Sequence, residues 1–167
     1  MTVRFVSFGV AIVGIMLVTI APAAAQIVAL GASNTAGKFV SSSEAYPAVL
    51  EAMLRAKGRN VHVTNAGVSG DTTGGMLSRL NSSVPDGTKI VLLQYGGNDT
   101  RRGAAPAERQ ANIAKIEQQL HARGIRTIRV DGLIRTEISA GLVISDGQHL
   151  TVEGYRRVAS QIVGMVR

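Results

Sequence analysis

The chain has 167 residues, no cysteine, and a formal net charge of +7 from 18 Lys+Arg against 11 Asp+Glu. That length suits one domain with its own core, and the lack of cysteine excludes a disulfide framework, a thiol nucleophile and a thiolate metal site. The cations are scattered, with Arg101-Arg102 and Arg156-Arg157 the only adjacent pairs, and aromatic residues are 4% of the chain. This excludes a nucleic-acid footprint in favour of solubility and mild attraction to anionic surfaces.

Residues 1–25 stand apart. Arg4 supplies a positive start, Phe5 to Ile20 is uncharged and mostly apolar, and Pro22-Ala23-Ala24-Ala25 offers small residues at an A-x-A site. The pattern predicts a secretory signal peptide cut between Ala25 and Gln26. The alternative is an uncleaved membrane anchor, since the run almost reaches spanning length. The Ala-rich end suits a peptidase better. No later run is long enough to span, so residues 26–167 are expected as one soluble periplasmic or secreted domain without stable membrane insertion; nothing in the sequence sets its oligomeric state.

From Ile27 the chain alternates apolar runs with helical patterns. Ile27–Leu30 reads as a buried strand, and Gly31 permits a tight turn before Ser33. Ala45 to Lys57 is helical in spacing and stops at Gly58. Val61–Thr64 is a second strand, Thr72 to Leu80 a short helix, and Ile90–Leu93 a third strand, apolar at every position as burial on both faces requires. Pro106 opens a long helix to about Arg123, Gly124 ends it, and Ile125–Val130 follows as the fourth strand. Leu142–Ile144 reads as a short fifth strand, and Thr151 caps a last helix that runs to about Val166. Strands alternating with helices predict an α/β domain with a parallel sheet covered by helices.

Four successive turns carry chemistry. Ser33 follows the first strand, where open α/β sheets place their ligands. Asn65-Ala66-Gly67-Val68-Ser69-Gly70-Asp71-Thr72 follows the second, with glycines that let backbone N–H groups face a ligand. Tyr95-Gly96-Gly97-Asn98-Asp99 follows the third and presents an uncharged amide donor suited to an oxyanion. Asp146-Gly147-Gln148-His149 precedes the last helix; an Asp three residues before a His can accept from Nδ1–H and leave Nε2 as a base. Each turn taken singly also fits an ordinary strand end or helix cap. Together they place a serine, a glycine N–H, an asparagine and an Asp–His pair in a catalytic order. Asp131, which also follows a strand, is a second candidate to orient the histidine. His62 within a strand and His121 in a last helical turn have structural readings, and the three histidines never stand at i, i+4, so no zinc site is expected. Lys38 ends a faint phosphate-loop pattern, but Ala32 and Phe39 break it.

On these residues the chain resembles the SGNH hydrolases, the GDSL esterase/lipase family, and is similar in pattern to the bacterial periplasmic lysophospholipase/thioesterase and arylesterase type. The resemblance runs from Ile27 to the end of the sequence. It implies a flavodoxin-like three-layer sandwich with strand order 2-1-3-4-5, and a serine esterase acting on small-molecule esters through an acyl-enzyme with no cofactor. The substrates implied are short-chain acyl or aryl esters, lysophospholipids or O-acetyl groups. It implies Ser33 as nucleophile, His149 as base and then acid, Asp146 as its orienter, and an oxyanion hole made of the Ser33 N–H, the Gly70 N–H and the Asn98 side chain. Two positions depart from the family pattern: Ala32 stands for the Asp of Gly-Asp-Ser, and Leu150-Thr151 stands for Pro-Asn. The rival reading is a non-catalytic periplasmic binding domain on the same fold. Only 46 residues separate Asp99 from Asp146. Once one helix and one strand are counted, little chain is left for walls, so a shallow site preferring acyl groups of two to about four carbons is expected, with Arg101-Arg102 at its edge.

Overall fold

The structure, a computed structural model, describes residues 25–166. The predicted signal peptide lies outside the described residues except for Ala25, which opens the first strand. Four strands form one sheet: β1 (Ala25–Gly31), β2 (Val61–Gly67), β3 (Thr88–Gln94) and β4 (Arg126–Arg129). All pair in parallel, in the order β2-β1-β3-β4.

Alternate residues feed two cores because successive strand side chains point to opposite faces. Ile27, Ala29, Ile90, Leu92 and Ile128 pack on one face. They meet α2 (Tyr46–Ala56), α7 (Asp131–Ser139) and α8 (Val152–Val163) through Leu50, Leu54, Ile134, Val158 and Ile162. Val28, Leu30, Val91 and Leu93 pack on the other face. There they meet Met76 of α3 (Thr73–Ser78), Leu80 of α4 (Leu80–Ser83), and Ile116 and Leu120 of α6 (Pro106–Ala122). Two single-turn helices complete the chain: α1 (Ser33–Ala36), directly after β1, and α5 (Asn98–Arg101), soon after β3. Among the described residues no helix is long and apolar enough to cross a membrane.

The architecture is the expected α/β sandwich, with two differences in detail. Leu142–Ile144 is not a fifth strand of the sheet. The turn at Ser145-Asp146-Gly147 sends the chain back on itself, so Ile144 N donates to His149 O (2.9 Å) and Thr151 N to Leu142 O (2.9 Å). The result is an isolated antiparallel bridge between Val143 and Leu150. The second difference is α7, a nine-residue helix between β4 and the Asp–His turn, in addition to the one helix and one strand expected between Asp99 and Asp146.

The register brings Gly31 opposite Gly67 on one side and Gln94 on the other. The chain leaves β1 for β2 on one flank and returns to β3 on the opposite flank, so a crevice opens beyond the carboxyl ends of these strands.

Candidate active site

Ser33 is the first residue of α1, on a turn too tight for ordinary side chains. A Cβ on Gly31 would lie 2.2 Å from Thr35 Oγ1 and 2.8 Å from the Gln94 carbonyl; one on Gly67 would lie 2.2 Å from the Ala36 nitrogen. Glycine at both positions lets the serine turn, β2 and β3 close on one another. Gln94, buried at the end of β3, holds the turn from beneath: its Oε1 accepts from Ala32 N at 2.9 Å and from Thr35 Oγ1 at 3.2 Å. Arg79 holds it from the side, with Nη2 on the Gly31 carbonyl (3.2 Å) and Nε on Asp71 Oδ2 (2.8 Å).

The structure brings Ser33, His149 and Asp146 into one chain of hydrogen bonds. Ser33 Oγ is 2.8 Å from His149 Nε2, and His149 Nδ1 is 2.5 Å from Asp146 Oδ2. Asp146 Oδ1 also accepts from the backbone N–H of Gln148 (2.9 Å) and His149 (3.0 Å). The bond from the imidazole, and then those two amides, hold the Asp146 carboxyl well below the usual carboxylate range. With Nδ1–H given to Asp146, Nε2 is the nitrogen free to accept the serine proton; the network assigns this tautomer. Asn34 ties the two loops together. Its Nδ2 donates to the Gln148 carbonyl (3.1 Å), and its Oδ1 accepts from Leu150 N (3.3 Å) and the Tyr155 hydroxyl (3.1 Å).

Asp131 does not orient the imidazole. It opens α7, and its two oxygens accept from Tyr95 N (3.0 Å) and Gly96 N (2.9 Å), so it fastens the turn that carries Asn98. Burial pushes its carboxyl pKa up, against the downward pull of these amides and of the Arg135 and Arg109 charges. Asp99 is also structural: its carboxylate takes both the backbone N–H and the hydroxyl of Thr73, which anchors α3 to the same turn.

Asn98 is buried, and its amide is held at both ends. Oδ1 accepts from Arg101 Nη2 (2.7 Å), and Nδ2 donates to the Asp71 carbonyl (2.6 Å). A primary amide carries two N–H bonds, so one remains for a ligand. Arg101 also reaches Gln148 Oε1 (2.9 Å), and Arg102 binds the Gly70 carbonyl (2.9 Å). The adjacent arginines therefore brace the asparagine and glycine turns rather than merely edging the site.

Ser33, Asn98 and His149 line a cavity of about 350 Å³. Ile134 and Ile138 of α7 line it too, as do Arg109 and Arg135. Gly70, at φ 81, stands on the loop after β2 outside that lining. Among the described residues no group of three or more His, Asp or Glu is placed to hold a metal ion; His62 instead pairs with Glu51 (3.0 Å). Sequence reasoning did not single out Gln94, Asn34 or Arg79 as supports. Gln94 did leave a signal, a polar residue directly after an apolar strand.

The GDSL-like lipase/acylhydrolase family profile matches residues 29–144. The protein named Esterase TesA from Pseudomonas aeruginosa is 34% identical over 115 residues, which is 68% of this chain and 57% of that protein. An arylesterase from Vibrio mimicus is 31% identical over 125 residues, 74% of this chain and 62% of that one. The chain thus spans about three fifths of the length of these relatives. The crystal structure of a protein named TesA superposes with a TM-score of 0.77 at 23% identity, over 85% of this chain and 98% of that chain, and so shares its fold.

Proposed function

Since the chain belongs to the GDSL-like lipase/acylhydrolase family, we propose that it is a serine esterase that hydrolyses carboxylic esters through an acyl-enzyme. The observation that carries this reading is the unbroken line Ser33 Oγ–His149 Nε2–His149 Nδ1–Asp146 Oδ2, at 2.8 Å and 2.5 Å. The names of the relatives, esterase and arylesterase, support the same class.

A serine hydroxyl is a poor nucleophile until a base takes its proton. In the proposed reaction His149 Nε2 takes it as Ser33 Oγ attacks the ester carbonyl. Asp146 holds the ring's orientation and stabilises the imidazolium. The carbonyl oxygen becomes an oxyanion, received by the Ser33 N–H, the Gly70 N–H and the remaining Asn98 N–H. A preorganised donor of this kind is worth about 3–4 kcal/mol in other hydrolases. His149 then returns its proton to the departing alcohol oxygen. Water repeats the sequence on the acyl-enzyme and releases the acid and Ser33.

Ala32 does not interrupt this machinery: it is 1% exposed, packs in the second core, and uses its backbone rather than a side chain to reach Gln94. The site asks for no metal or organic cofactor in this reaction. The substrates fitting the site are small esters with short acyl or aryl groups, and lysophospholipids and O-acetyl groups belong to the same chemical class. Cleavage after Ala25 and release to the periplasm complete the proposal; the mass of the mature protein from a periplasmic extract tests that part.

A fluorophosphonate probe tests the activity. It is expected to label Ser33 in the wild-type protein and not in Ser33→Ala, and Ser33→Ala and His149→Ala are each expected to lose hydrolysis of p-nitrophenyl acetate while staying folded. A binding domain on the same fold would take no label and leave the ester intact.

A further inference from the structure

Phe39 breaks two rules at once. Among the described residues it is the only non-glycine residue at positive φ (72°), a region that is strained for a side chain this bulky. The residue is also 62% exposed, more than any other large apolar residue among those described. It belongs to neither core, so packing does not offset the strain. Strain of this kind tends to be kept at functional sites.

Its place follows from the nucleophile turn. Gly37, at φ 75, ends α1, and Lys38 N closes back on the Ser33 carbonyl (3.0 Å). That reversal throws the next residue over the histidine loop. The Phe39 ring meets the His149 imidazole at 5.3 Å between centroids and 74° between planes, and Lys38 Nζ sits 4.6 Å from the Phe39 centroid. Phe39 is absent from the lining of the 350 Å³ cavity, so it flanks the imidazole outside that cavity.

An ester seated on Ser33 has two arms. The alcohol arm must leave beside His149, because that ring hands its proton to the departing oxygen. We propose that Phe39 forms the alcohol-side subsite and selects esters of aromatic alcohols, while the cavity walled by Ile134 and Ile138 takes the acyl arm. The proposal rests on the esterase reading above. An exposed aromatic surface beside the departing oxygen favours a flat apolar group, which gains offset or edge-to-face contact with the ring. A small alkyl alcohol gains almost none.

Phenyl acetate and ethyl acetate separate the roles, because both form the same acetyl-enzyme and differ only in the alcohol. The quantity read is the ratio of their kcat/KM values, which report acylation. Phe39→Gly suits the left-handed backbone and is expected to fold with an unchanged or higher Tm; Phe39→Asn, also tolerant of that backbone, is a second ring-free variant. Each is expected to lower the phenyl-to-ethyl ratio about tenfold, and Phe39→Tyr to restore it. A fall of equal size for both esters would mean that the ring only positions His149, and unchanged kcat/KM for both would remove Phe39 from substrate contact; either result overturns the subsite while leaving the esterase reading intact. A wild-type protein that hydrolyses neither ester and takes no fluorophosphonate label would overturn both.

Discussion

Asp131 and Asp146 both sit near the histidine loop, and their hydrogen bonds assign them different work. Asp146 accepts from the ring of His149, whereas Asp131 accepts from the backbone of Tyr95 and Gly96. Asp146→Asn is therefore expected to lower kcat on p-nitrophenyl acetate by about 10³–10⁴ with little change in Tm, as loss of the triad carboxylate does in other hydrolases. In Asp131→Asn the new amide sets a donor against a backbone donor, so a lower Tm and a smaller loss of kcat are expected; thermal melts and rates on the two variants read both effects. The signs of the pKa shifts also separate them. The lowered Asp146 pKa gives stability that is complete above the ordinary carboxylate value near ~4 and is lost as pH falls through the folded value. The raised Asp131 pKa acts oppositely: its contribution is complete below the ordinary value and is lost as pH rises through the folded one. Because the Asp146 carboxyl is held well below the usual carboxylate range, a pH–rate profile is expected to show no inflection from its protonation at the ordinary carboxylate value. An inflection there that Asp146→Asn removes would show the carboxyl titrating in its ordinary range and overturn this expectation.

At the scale of elements, the helix that carries the histidine loop into the core starts on a cap. Thr151 Oγ1 accepts from Gly154 N at 3.2 Å, the role expected of it despite the departure from Pro-Asn. Thr151→Ala should cost about 1 kcal/mol of stability, measured by denaturant unfolding, with the rate on small esters largely kept. Strands β1 and β3 were legible as short apolar runs followed by a turn signal, β2 and β4 as apolar–polar stretches bounded by turn signals, and α2, α6 and α8 because their inward residues repeat at helical spacing. Helix α7 was not. Its run Asp131-Gly132-Leu133-Ile134-Arg135-Thr136-Glu137-Ile138-Ser139 opens on Asp and Gly, reads as a turn after a strand, and gives only two turns of periodicity. The omission bears on substrate size, since Ile134 and Ile138 give the cavity an apolar wall where none was expected. Each buried methylene is worth up to about 0.8 kcal/mol, so kcat/KM should rise from acetate to about butyrate, level off as the cavity fills, and lose that rise in Ile138→Ala. A p-nitrophenyl ester series kept below micelle concentrations measures it; activity climbing steadily to C12 would point to a longer groove.

For the whole molecule, the residues that meet at the carboxyl edge of the sheet were readable as a set: Ser33, Asn98, Asp146 and His149 each stand in a turn after a strand or before a helix. Their supports were not, because Gln94, Asn34 and Arg79 act through contacts made only when distant segments fold together. Neither could the sequence show that Arg101 and Arg102 would be drawn inward onto Asn98 and Gly70. The bonds that complete the site also set when it appears. Ser33 meets His149 across 116 positions, and Asn34 reaches Leu150 and Tyr155 across 116 and 121. Contacts of such separation form late, after the entropy of closing the intervening chain has been overcome. Catalysis is then a clock for assembly: in stopped-flow refolding from urea, far-UV ellipticity should recover first, and turnover of a chromogenic ester should begin only as the last slow phase ends.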